Sequence, residues 1–120
     1  FQQGTPSMEP IYTARAGVQV ALEVGVEAIR ARSLELTARL LARAEERRVP
    51  VRTPRRAEAR GGMICVDVPG GEAIVDRLEA QGIDVDHRPG AGIRIAPHFC
   101  HREDECDRVI DALAEAIAAP

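Results

Sequence analysis

Arg94 is the residue whose setting points most directly to chemistry. It lies in Ile93-Arg94-Ile95-Ala96, an alternating run that a turn-rich lead-in (Arg88-Pro89-Gly90-Ala91-Gly92) delivers and Pro97 stops. Period-2 alternation sends Ile93 and Ile95 to one side and Arg94 to the other. An arginine held on a rigid strand can grip a carboxylate through two parallel N–H···O bonds. The same spacing also describes a solvated arginine on the open face of a sheet, because exposed arginines are common.

Other groupings offer less. His98, Cys100, His101, Glu103 and Cys106 are of metal-ligating types and close in sequence. Cys106, however, falls in a terminal helix and the spacing matches no zinc pattern, so no metal site is expected. Cys65 sits in a run that reads as a buried strand, where cysteine behaves as a small hydrophobe and not as a nucleophile. Asp84, Asp86 and His87 suggest acid–base work, but alternation places both aspartates on one side of a strand, which reads as a solvated face. Gly90 and Gly92 precede a strand and not a helix N-terminus, which makes them a poor phosphate loop. None of these is a self-sufficient catalytic constellation, and no catalytic residue is assigned.

The elements that must position Arg94 follow from periodicity and punctuation. Residues 1–10, with Gly4, Pro6 and Pro10, read as an extended lead-in. Residues 11–48 read as two helices. The first runs from Ile11 to Val24, with Ala14, Val18, Ala21 and Leu22 on one face; the second runs from Val26 to Arg48 through Ile29, Leu36, Leu40 and Leu41. The Arg and Glu residues of the second helix, spaced three and four apart, read as a solvated face. Pro50 stops it, and 49–54 can give at most a short edge strand before the basic turn of residues 55–60.

Residues 49–120 then read as β-α-β-β-α. The strands are Met63–Val68, Ile83–His87 and Ile93–Ala96. One helix covers Glu72–Gln81, with Gly82 as its left-handed stop, and the other covers Arg102–Ala119, with Val109, Ile110, Leu113 and Ile117 inside. The fold class expected is α+β: a two-layer sandwich of helices on a small, mainly antiparallel sheet, preceded by two long helices.

Composition narrows the partners. The 120 residues carry a net charge of −3 with the signs interspersed, which argues against nucleic acid. Aromatic residues make up only 2%, so the core must be aliphatic. All 16 basic residues are arginine, so no Schiff-base lysine comes from this polypeptide. No apolar run is long enough to span a bilayer, and Phe1-Gln2-Gln3 lacks the features of a signal peptide, so a cytoplasmic protein is expected. Three cysteines in such a chain read as free thiols.

Three segments together resemble the C-terminal part of kynureninase-like enzymes: the opening FQQGTPSMEPIYTARAGVQVALEVGVEAIRARSLELTARLL, the RGGMICVDVPG strand, and GIRIAPHF followed by an acidic helix. These enzymes belong to the class V aminotransferase family. The resemblance implies pyridoxal phosphate as cofactor, bound covalently by a lysine of a large domain upstream, and a homodimer. It implies that Arg94 salt-bridges the α-carboxylate of an amino-acid substrate such as kynurenine. It also implies that Thr5, in the Gly4-Thr5-Pro6 segment, reaches the cofactor phosphate of the neighbouring subunit. Relatives commonly continue Pro-His-Phe with Tyr-Asn where this chain has Cys100 and His101, so no role transfers to those two positions.

On this resemblance the chain is the tail of a kynurenine-hydrolysing enzyme and is inactive alone. Two other readings are a relative that performs transamination or carbon–sulfur cleavage, and a stand-alone ligand-binding or dimerisation module without catalysis.

Overall fold

The strand that carries Arg94 is the middle one of three. The computed structural model describes residues 7–119; Gly4 and Thr5 lie outside the described residues. The strands are β1 (Ile64–Val66), β2 (Asp86–Arg88) and β3 (Gly92–Ile95), in the order β1-β3-β2 with both pairings antiparallel. The helices are α1 (Met8–Val24), α2 (Val26–Glu46), α3 (Gly71–Glu79) and α4 (Glu103–Ala118). This is the expected α+β class, with two long helices ahead of a small antiparallel sheet.

The chain divides into two compact units, Phe1–Ala31 and Arg32–Pro120. In the first, α1 begins at Met8, upstream of the expected Ile11. Pro10 sits in the first turn, where its missing N–H is not needed, so it does not exclude the helix. Gly25, at φ 88°, interrupts the helix before Val26 restarts it. No residue of α1 is buried, and Ile11, Tyr12, Val18 and Leu22 are exposed.

In the second unit a single aliphatic core forms. Ile64, Val66, Ile93 and Ile95 of the sheet join Leu36, Leu40 and Leu41 of α2, Ile74, Val75 and Leu78 of α3, and Val109, Ile110 and Leu113 of α4. Ile117 is not on the inner stripe of α4 but at its exposed edge; the small residues Cys106, Ala112 and Ala116 are buried instead. The α2 helix stops on a left-handed Arg48 (φ 58°). There Arg48 N–H donates to the Glu45 carbonyl at 3.1 Å and Val49 N–H to the Ala44 carbonyl at 2.8 Å, the two bonds of a Schellman ending, with buried Val49 as its apolar contact.

The charges of α2 depart from a simple solvated face. Arg43 does pair with Glu46 at 2.7 Å, but Arg39 also reaches Asp107, and Arg43 and Arg47 reach Asp111. Arginines and aspartates at four-residue spacing on two helices therefore form a ladder that ties α2 to α4. These groups stand at the solvent boundary, where water screens them, so each rung contributes little by itself.

Two strand boundaries differ from the expectation. The second strand is Asp86–Arg88 and not Ile83–His87. Ile83 N–H is committed to the Leu78 carbonyl at 3.0 Å, where Gly82 (φ 72°) ends α3. In the observed register, which pairs Asp86 with Arg94, extending β2 to Ile83 would set it against Pro97, which has no N–H to offer. The first strand is shortened to Ile64–Val66 from Met63–Val68. Val51 bridges Val66, and Arg52 N–H donates to the Cys65 carbonyl at 2.9 Å, so 49–54 does supply a minimal edge.

Gly92 is the tightest point. It has φ 90°, and a Cβ there would stand 2.2 Å from the Val66 carbonyl oxygen, so β1 and β3 can approach only over a bare backbone. Gly92→Ala should destabilise the fold by about 2–4 kcal/mol through overpacking and left-handed strain. Gly61→Ala, whose Cβ would enter open space, should be nearly neutral. Midpoints of urea unfolding check both.

Candidate functional site

The site is built by register. Alternation along β3 buries Ile93 and Ile95 and turns Arg94 to the opposite face of the sheet. Cys65 of β1 lies directly across from Arg94 on one side, and Asp86 of β2 on the other. Cys65 is therefore half-buried beside a guanidinium and not the core hydrophobe expected, because it occupies the outward position of β1.

Arg94 already grips one carboxylate. Its Nε donates to Asp86 Oδ1 at 2.8 Å and its Nη2 to Asp86 Oδ2 at 2.5 Å. Asp86 is thus not merely solvated: it accepts this bidentate pair and a further bond from Arg88 Nε at 3.1 Å. The hydrogen bonds from Arg94 hold the Asp86 carboxyl below the usual carboxylate range, and the same bonds raise Arg94. The side chains of Arg94, Asp86 and Arg88 are 33%, 43% and 63% exposed, so the cluster stands at the solvent boundary. Two guanidiniums and one carboxylate leave this three-residue cluster with one net positive charge.

The remaining candidates separate from Arg94. Asp84 lies outside β2. His87 points the other way, its ring packed against Gly71 where a Cβ would come within 2.5 Å. His98, Cys100 and His101 form a local turn in which His98 Nδ1 lies 3.2 Å from Cys100 Sγ and His98 N–H donates to His101 Nδ1 at 2.9 Å. Among the described residues no cluster of His, Cys, Asp or Glu is arranged to hold a metal ion. Cys106 is buried in the core, and desolvation pushes its thiol up, away from reactivity. A cleft of about 290 Å³, lined by Leu40, Ile83, Ile95, His101, Glu105 and Arg108 among others, contains none of Cys65, Asp86 or Arg94. Its Arg108 and Glu105 are already bonded to the Gln81 carbonyl and the Arg102 N–H.

Sequence reasoning found Arg94 and missed its partners. Asp86 and Arg88, two apart in sequence, share one face of a strand. The signal that they face Arg94 is the Pro89-Gly90-Ala91 turn, whose length sets Arg88 opposite Gly92.

Known proteins bear on this arrangement. A family model described as the kynureninase C-terminal domain matches residues 29–113. Kynureninase 2 of Neurospora crassa is 32% identical over 127 residues, covering 98% of this chain and 27% of that protein. Isopenicillin N epimerase of Streptomyces clavuligerus is also 32% identical, over 121 residues, covering 92% of this chain and 30% of that protein. The chain thus spans between a quarter and a third of these relatives. In fold it is similar to the apo structure of cysteine desulfurase from Thermococcus onnurineus NA1, with a TM-score of 0.84 at 20% identity, over 98% of this chain and 33% of that one.

The sign of the Asp86 shift gives a test. A carboxyl depressed by its partner keeps the pair intact above the ordinary aspartate range, near pH 4, and loses it as the pH falls through the lowered value. A carboxyl-detected NMR titration should find Asp86 below that range, and Arg94→Ala should bring it back up. An Asp86 titration that Arg94→Ala leaves unmoved contradicts the pairing.

Proposed function

Because the chain belongs to the kynureninase C-terminal domain family, we propose that it is the small domain of a cytoplasmic, homodimeric enzyme that hydrolyses L-kynurenine to anthranilate and L-alanine. Its part is to recognise the substrate α-carboxylate through Arg94. The observation that carries this reading is the position of Arg94: mid-sheet, turned out of the core, in a cluster of two arginines and one aspartate.

Pyridoxal phosphate is the cofactor that the family resemblance implies, and it supplies the electron sink for carbon–carbon cleavage. The described residues are not built to hold it. The chain has no lysine, and its outward cation is suited to a substrate anion held by two parallel bonds. Gly4 and Thr5 remain the residues proposed to reach the cofactor phosphate. The covalent anchor belongs to a large domain outside this chain, which also gives the exposed apolar side chains of α1 a surface to cover them. The isolated chain is therefore inactive.

Within this reading Arg94 orients the substrate. Fixing the carboxylate fixes which bond at the α-carbon stands in the reactive plane, so its contribution is positional. The similarity to an epimerase and the likeness in fold to a cysteine desulfurase favour keeping one other reading, a different class V activity such as transamination or carbon–sulfur cleavage. An arginine for the α-carboxylate serves all of these.

In the complete protein, Arg94→Lys keeps the charge but loses the fork. It should lower kcat/KM for kynurenine by about 2 kcal/mol or more, the scale of a charged hydrogen-bonded pair. Cofactor absorbance should be retained. An Arg94→Ala protein within about threefold of the parent rules out the carboxylate role. Absence of anthranilate from kynurenine, with turnover of cysteine or of an amino donor, selects the other class V activity.

A further inference from the structure

We infer that Asp86 is a positioning residue that holds Arg94 by one edge so that its other edge is presented to an incoming carboxylate, with Arg88 offsetting the charge Asp86 brings. This rests on the proposed role of Arg94 and adds how that role is prepared.

A guanidinium has five N–H donors, arranged so that two different edges can each give two parallel bonds. Asp86 takes the Nε and Nη2 edge, at 2.8 and 2.5 Å. Among the described residues, Arg94 bonds only through Nε and Nη2, which leaves the Nη1–Nη2 end of the fork unused on a side chain that is 33% exposed. An unrestrained arginine must lose rotamer freedom to bind; one already clamped to a strand has lost it beforehand. The clamp is itself rigid, because Asp86 is the direct cross-strand neighbour of Arg94 in a hairpin whose first pair, Arg88 with Gly92, closes the turn.

The opposite reading gives the opposite sign. If Asp86 simply satisfies Arg94, it competes with the substrate, and removing its charge should tighten binding of acids. Arg88 bears on this, since its Nε donates to the same Asp86 Oδ2 at 3.1 Å. An Asp86 shared between two arginines does not neutralise Arg94 fully, which suits a receptor and is superfluous in a single cross-strand pair.

The test uses the complete protein with cofactor bound. Two competitive inhibitors are compared: an unreactive amino acid and the matching amine that lacks the α-carboxylate. The ratio of their inhibition constants is the readout, because a general loss of structure weakens both alike. Asp86→Asn should reduce the preference for the acid about tenfold, the scale of a misplaced binding group, and raise KM more than it lowers kcat. In an Arg94→Ala background the same change should have no further effect.

A preference unchanged within about twofold, or sharpened, in Asp86→Asn overturns the inference while leaving the role of Arg94 standing, provided Arg94→Ala itself abolishes the preference. If Arg94→Ala also leaves the preference unchanged, the carboxylate role itself fails. Should Asp86→Asn not fold, Asp86→Glu decides. It keeps the charge but displaces the fork by a methylene, so it should lower the acid preference, and an undiminished preference overturns the inference.

Discussion

Two parallel hydrogen bonds from Arg94 to Asp86 hold together the functional account of this chain. They exist because a short turn sets β2 against β3 in a register that places one carboxylate opposite one guanidinium. Shifting that register by one residue would turn Arg94 into the aliphatic layer and an isoleucine into solvent. The core therefore enforces the pairing: Ile93 and Ile95 can be buried only when Arg94 faces outward. Burial of aliphatic surface, which is non-directional, is converted by strand alternation into a fixed direction for a charged group.

The rest of the second unit makes that direction rigid. Three helices contribute to the core beneath the sheet, and the arginine–aspartate ladder ties α2 to α4 at its rim. The close approach at Gly92 brings β1 against β3, so that Cys65 flanks Arg94 with a small side chain. The result is a cation with a fixed base and one edge already paired. Such preorganisation is what distinguishes an anion-binding arginine from a mobile surface one.

Much of this was legible in the sequence, and the misses have physical causes. Helices were recovered because apolar spacing and stop signals such as Gly82 act locally, although α2 ends on the left-handed Arg48 ahead of the expected stop at Pro50. Strand limits were less accurate because a strand exists only where a partner offers N–H and C=O groups. Ile83–Val85 alternate well, yet the strand they would pair with ends at Ile95, and Pro97 beyond it has no N–H to offer. Alternation turned Arg94 out of the aliphatic layer but could not separate a binding arginine from a solvated one; the family resemblance favoured the first, whereas the importance of Asp86 depended on knowing which strand lies beside β3. The α2 arginines looked like self-contained helix pairs for the same reason. Their spacing matches Asp107 and Asp111, but only the folded chain brings the two helices together. Cys65 was read as a core residue because apolar neighbours on both sides hide which face a short strand gives to water.

The central claim is that Arg94 receives a substrate carboxylate on its open edge while Asp86 retains the other. The most direct measurement is a crystal structure of the complete protein with an unreactive amino-acid inhibitor bound. The account predicts the inhibitor carboxylate within hydrogen-bond distance, about 2.7–3.1 Å, of Nη1 and Nη2 of Arg94, with the Asp86 bonds intact. A carboxylate held by other residues, or one that displaces Asp86 from Arg94, contradicts it.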